Sequence, residues 1–275
     1  IGSGSMYPNV LREHIIKCKN ATNKPFGVNL PLLYPDIDEH ISIIIKEKIK
    51  IVFTSAGSPK KYTSILKKEG IKVVHVVSSL KFAEKSKEAG VDAIVAEGFE
   101  AGGHNGKNQT TTLCLIPNVA KNIDLPVIAA GGIASGSSML AAFSLGAEGV
   151  QIGTRFAVCR ESSSHERFKN YIFNSNEGDT DLTLKELTPV RLLKNDFYQK
   201  IKKAYSRHAT KEELINILGR GRAKKGIFQG DLVEGELEIG QISAMVNKME
   251  SASEIIEDVI SEFKFKKEKI QNSFF

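Results

Sequence analysis

The sequence predicts an α/β protein, a (β/α)8 barrel of the TIM type whose first βα unit is missing, closed by a C-terminal helical cap. Three observations predict it: short β-branched runs recur along the first half, segments of helical period separate them, and glycine-rich loops follow them. The runs are Phe26 to Asn29, Ile51 to Thr54, Lys72 to Val77, Ala93 to Ala96, Val127 to Ala130 and Gly149 to Ile152. Each has the apolar character of a strand buried in a parallel sheet. Their ends lie roughly 20 to 35 residues apart, which suits one strand, one helix and a right-handed crossover per unit.

In chain order, Ile1 to Ser3 reads as the tail of a seventh strand, ahead of an amphipathic helix over Val10 to Lys19. Ser58 and Pro59 supply N-cap and first-turn residues for a helix with Tyr62, Ile65 and Leu66 on one face, ending at Gly70. Ser79 opens another that Gly90 closes, and Ser135 opens one carrying Met139, Leu140 and Phe143 that closes at Gly146. Six units and a remnant are visible, so an eight-stranded barrel needs one more before residue 1. An open doubly wound sheet is the competing architecture. Beyond about residue 160 no clear strand follows, only helical segments such as Thr210 to Leu218 and Ser253 to Phe263. The division expected is a barrel domain over residues 1–160 and helices packing on it over residues 161–275. The charged run Lys264 to Lys269 reads as solvated surface.

Composition narrows the function. Of 275 residues, 25% are charged and 41% hydrophobic, the balance of a folded globular chain. Trp is absent and aromatics are 7%, which leaves few rings for stacking single-stranded nucleic acid. No apolar run of membrane-spanning length and no secretory signal is visible. Cys18, Cys114 and Cys159 have neither disulfide nor metal-cluster spacing and suit a reducing compartment, so a cytoplasmic location is expected. Cys159 reads as a small buried apolar residue.

In a parallel barrel, ligands meet the loops after the strands. Here those loops are Asn29, Ser55-Ala56-Gly57, the stretch Glu97 to Gly106, Gly131 to Gly136 and Gly153-Thr154-Arg155. Consecutive glycines let backbone N–H groups face an anion closely. Gly131-Gly132 and Gly153-Thr154, on consecutive late units, therefore match the phosphate site many barrels build there. His104 stands among glycines in a strand-end loop, whereas His14 and His40 fall on helix faces, His75 within a strand, and His165 and His208 in helical or linker contexts. An imidazole titrates near working pH, so His104 is the candidate for proton chemistry. No second ligand lies at metal spacing from it, and no metal is expected. Glu97 and Glu100 flank the same loop, and the simplest account caps the loop with one and exposes the other.

Four ordered stretches, GVNLPLL (27–33), AEGFEAGGHNG (96–106), PVIAAGGIASG (126–136) and GVQIGTRF (149–156), with GDLVEGELEIGQIS (230–243), resemble the nitronate monooxygenase family and its relatives, the flavin-dependent enoyl-ACP reductases. The resemblance implies a TIM barrel holding FMN, and the family pattern begins with one more unit ahead of IGSGSM (1–6). By that resemblance Asn29 meets the isoalloxazine ring, Gly131, Gly132, Gly153 and Thr154 hold the phosphate, His104 is the active-site histidine, and Gly102, Gly103, Gly136 and Gln151 line the cofactor. The reaction ranked first is oxidation of an alkyl nitronate with O2 to a carbonyl compound and nitrite. The alternative is enoyl-[acyl-carrier-protein] reduction with NAD(P)H, and a third is a flavin- or phosphate-binding barrel without turnover. The net charge of +6, with Arg220, Arg222, Lys224 and Lys225, suits either an acidic acyl carrier protein or plain solvated helices. Nucleic acid and membrane partners are not expected, and the sequence leaves the oligomeric state open.

Overall fold

The computed structural model describes residues 1–273. Helix α1 (Pro8–Ala21) leads into β1 (Gly27–Pro31), α2 (Ile37–Lys46), β2 (Ile51–Ser55), α3 (Lys60–Lys68), β3 (Lys72–Val77), α4 (Leu80–Glu88) and β4 (Ala93–Glu97). The short β5 (Gly103–His104), α5 (Thr112–Asn122), β6 (Val127–Ala130), α6 (Gly136–Ser144) and β7 (Gly149–Gln151) follow. All six long strands are parallel, in the order β1-β2-β3-β4-β6-β7. Apart from β5, spatial order equals chain order, with none of the reversal that defines a doubly wound sheet, so the curved sheet is an incompletely closed barrel.

Gly2 makes a parallel bridge to Asn29, and the Asn29 amide donates to Ile1 O at 2.8 Å. Ile1 to Ser3 is therefore strand-like backbone beside β1, as its sequence predicts. Alternation divides the residues of each strand. Val28, Leu30, Val52, Val73, Val77 and Ile94 face the helices and pack with Leu11, Ile15, Ile44, Leu66, Ile116 and Val119. Phe53, Val74, Val76, Val95, Ile128 and Ala130 form the inner layer. The predicted caps close the helices: the Ser79 hydroxyl accepts the Phe82 amide, Ser135 and Ser138 form a capping box, and Gly146 takes φ +100° just past α6.

The second half departs from the sequence expectation of a purely helical cap. After α7 (Thr154–Ala157) and α8 (Glu166–Phe173) come two strands, β8 (Thr180–Thr183) and β9 (Val190–Leu193). They join β5 in an antiparallel sheet with β9 central. Each is four residues long and carries a charge, Asp181 or Arg191, which hides a core strand from a hydrophobic pattern. Arg191 is nonetheless buried; its Nε and Nη2 donate to Phe99 O at 3.2 and 3.0 Å, and its guanidinium lies 4.4 Å from the centre of the Phe99 ring. Helices α9 (Asp196–Ser206), α10 (Lys211–Leu218) and α11 (Arg222–Gln229) complete this layer. Helix α12 (Ala252–Ser273) returns to lie along α6. Among the described residues no helix is long and apolar enough to cross a membrane.

Candidate active site

The loops after β6 and β7 are neighbours because Ala130 is in register with Gln151. Gly131 and Gly132 take φ +90° and +70°. A Cβ on Gly131 would sit 2.7 Å from Gly98 O, and one on Gly132 would sit 3.3 Å from Glu100 Cβ, so this turn requires glycine. Beside Gly153 an added Cβ would meet nothing within 4 Å, so that backbone faces open space. Among the described residues, the amides of Gly131, Gly132, Gly153 and Thr154 donate to no backbone acceptor elsewhere in the chain. Neighbouring donors without backbone acceptors, beside the open space at Gly153, are the chemistry a phosphate dianion requires, so these loops fit FMN's phosphate. The Thr154 hydroxyl, buried, accepts the Gly240 amide at 3.2 Å and ties this turn to the cap.

On the inner face, Asn29 Nδ2 donates to Phe53 O and Ser55 Oγ, both at 3.1 Å, which fixes its amide at the mouth of the barrel. Gln151 is exposed on the same face. The flanking glutamates differ from expectation. Glu100 is the cap: its carboxylate accepts the Thr112 amide at 2.9 Å at the start of α5, while the Thr112 hydroxyl donates to Gly131 O at 2.7 Å. Glu97 is only partly exposed, because β4 turns it toward the barrel interior, and burial pushes its carboxyl up to about 7.

His104 is exposed on β5, paired with Val190. Gly102 lies against the cap backbone, where a Cβ would fall 2.3 Å from the Ile239 carbonyl carbon, and Gly103, at φ +72°, faces Glu238 Oε2. Sequence reasoning missed this wall of the site. Glu236 and Glu238 alternate along an extended segment, so both carboxyls share one face, and Leu192 bridges to Glu238. Burial pushes both upward; for Glu236 the neighbouring Glu238 adds to this and His104 opposes it. The signal available was the E-x-E alternation in GELEIG.

The remaining predicted residues are placed elsewhere. Gly136 is buried against α12, where a Cβ would fall 2.1 Å from Phe263 N, so it serves a helix contact. His75 lies between sheet and helices with Nδ1 2.7 Å from Thr54 Oγ1, and burial lowers it to about 4. His40 is buried and stacked on Tyr34, and His165 caps α8. Cys159 is buried beside Ile255 and Val259. In the basic run, Arg222 holds the end of α10 through Ile217 O and Leu218 O, while Arg220, Lys224 and Lys225 are exposed.

Comparison with known proteins agrees with this architecture. Residues 35–262 match the nitronate monooxygenase family. The chain is 27% identical to (3aS,4S,5R,7aS)-5-hydroxy-7a-methyl-1-oxo-octahydro-1H-indene-4-carboxyl-CoA dehydrogenase of Rhodococcus jostii, over 95% of this chain and 84% of that protein. It is 41% identical to a probable nitronate monooxygenase of Staphylococcus aureus, over 52% of this chain and only 43% of that protein. Among solved structures, FabK from Thermotoga maritima superposes with a TM-score of 0.92 at 39% identity, over 98% of this chain and 86% of that one. Nitroalkane oxidase from Streptomyces ansochromogenes gives 0.83 at 23% identity, over 98% and 89%, a likeness of fold alone. The open parallel barrel, its glycine-lined mouth and the match over residues 35–262 make this chain a member of the nitronate monooxygenase family, in the superfamily shared with FabK, and hence a flavin-dependent oxidoreductase on an FMN-binding fold.

Proposed function

We propose that the protein is an FMN-dependent enoyl reductase that draws electrons from NAD(P)H and reduces the double bond of an enoyl thioester. The observation that carries this reading is the likeness to FabK along almost the whole chain, cap included, at 39% identity. The Rhodococcus relative, whose name gives a carboxyl-CoA substrate, adds support for a thioester. The nitronate reading ranked first by motif alone is supported by the Staphylococcus match, which reaches about half of this chain.

In this reading the amides of Gly131, Gly132, Gly153 and Thr154 hold the FMN phosphate, and Asn29 and Gln151 meet the ring. Gly102 and Gly103 let the loop after β4 run close to the cap segment, and Gly136 supports the cradle from behind through α12. Bound FMN supplies the two-electron chemistry, while the protein supplies orientation and electrostatics. His104 holds a proton at the thioester carbonyl oxygen and stabilises charge developing there. The exposed Arg220, Lys224 and Lys225 offer cations to a phosphopantetheine-bearing carrier, whether acyl carrier protein or coenzyme A.

The test is anaerobic mixing of the FMN-loaded protein with NADH, NADPH or propyl-2-nitronate. Bleaching by a reduced nicotinamide, followed by recovery of colour on adding crotonyl thioester, is the expected result. Bleaching by the nitronate alone would replace this reading with the monooxygenase one. A protein that takes up no FMN would remove both.

A further inference from the structure

We propose that Arg155 is a positioning residue for the cofactor cradle, fastening α12 to both cradle loops so that α12 docking and flavin binding strengthen each other. The inference rests on the FMN cradle assigned above. Arg155 directly follows Gly153-Thr154, and its guanidinium reaches three partners. Nη1 donates to Ala134 O at 2.8 Å, inside the loop after β6. Nε donates to Glu250 Oε2 at 3.1 Å and Nη2 to its Oε1 at 3.0 Å, and Nη2 also meets Asp258 on α12 at 2.6 Å. The Arg155 and Glu250 side chains are 11% and 10% exposed, so this bidentate pair is held away from water.

A second attachment lies one helical turn further along α12. Glu262 on α12 accepts the Gly136 amide at 2.9 Å and the Ser137 hydroxyl, and thereby caps α6. The helices touch closely here because Gly136 leaves no side chain between them. One cation and three carboxylates thus join the Gly131–Gly136 loop, the Gly153–Arg155 turn and the C-terminal helix. Amides that must converge on one phosphate depend on loops fixed to a fraction of an ångström. A contact that fixes them is coupled to the ligand, and that coupling acts equally in both directions. Lysine cannot replace Arg155, since a point charge does not span a carboxylate and a carbonyl together.

Two measurements test the inference on the full chain: FMN affinity by flavin fluorescence, and hydrogen exchange of residues 252–263 with and without FMN. FMN should slow exchange in α12 of the wild type. E262A and D258N should each weaken FMN binding by roughly 3- to 10-fold with the fold retained by circular dichroism, and R155K should bind more weakly than wild type. If R155M does not fold, E262A and D258N still decide the matter. FMN binding that leaves α12 exchange unchanged, or E262A that binds FMN as wild type does, overturns the coupling alone. A wild type that binds no FMN overturns the cradle and this inference with it.

Discussion

His75 gives a prediction whose size follows from its surroundings. It is 4% exposed within β3, its Nδ1 contacts Thr54 Oγ1, and burial lowers its pKa from 6.5 to about 4. Below 6.5 the unfolded chain binds a proton that the folded chain refuses, so the unfolded state holds more protons and stability falls as the pH is lowered. The stabilising contribution is complete above 6.5, declines as pH drops toward about 4, and changes no further below it. Across about 2.5 pKa units the loss is roughly 3 kcal/mol, of which about 2.5 kcal/mol falls between pH 7.5 and pH 4.5. The perturbation is H75Q, which keeps a polar group for Thr54 and cannot titrate. Urea unfolding of both proteins at those two pH values, followed by far-ultraviolet circular dichroism, isolates the histidine from carboxylates common to both. The wild type should lose about 2.5 kcal/mol more than H75Q on acidification. Equal losses would refute the reasoning, and loss of FMN binding by H75Q would refute the placement of His75 behind the barrel wall.

Other variants probe the site directly. H104A should stay yellow while turnover falls roughly 10²- to 10⁴-fold, the usual contribution of a positioned acid or base; unchanged turnover would remove His104 from the chemistry. G132D should abolish FMN binding, measured by equilibrium dialysis, because it adds a carboxylate beside the phosphate cradle at a backbone angle that disfavours side chains; retained flavin would refute the cradle. Glu97 has the opposite sign to His75. Its carboxyl is raised from 4.5 to about 7, so the folded chain keeps a proton that the unfolded chain releases, and the associated stability is present below 4.5 and lost as pH rises through about 7. Flavin-free E97Q should therefore melt higher than wild type above pH 7, with the gain shrinking toward pH 4.5; a constant difference would place Glu97 in ordinary solvent.

The barrel half was legible because its strands are continuous apolar runs and its helices begin and end on residues with local reasons to be there. Ser79, Ser135 and Gly146 act through their own backbone neighbourhood, and a sequence shows that neighbourhood in full. The cap was not legible for the converse reason. β9 is a core strand only because Arg191 finds Phe99 O and the Phe99 ring, a partner 92 residues away, and no local pattern reports such a pairing. The same holds in the site. Gly131, Gly132 and His104 announce themselves by their position after strands, whereas Glu236 and Glu238 matter through a bridge to Leu192. Gly136 sits in a motif with cofactor residues, but the structure turns it toward α12.

β5 carries a consequence for how the centre is assembled. The histidine belongs to the barrel by sequence, but its main chain is stitched to β9, so in mechanical terms it travels with the cap. Under the proposed reaction, a cap that moved as a rigid body would take His104 with it, so the site would be complete only with the cap seated.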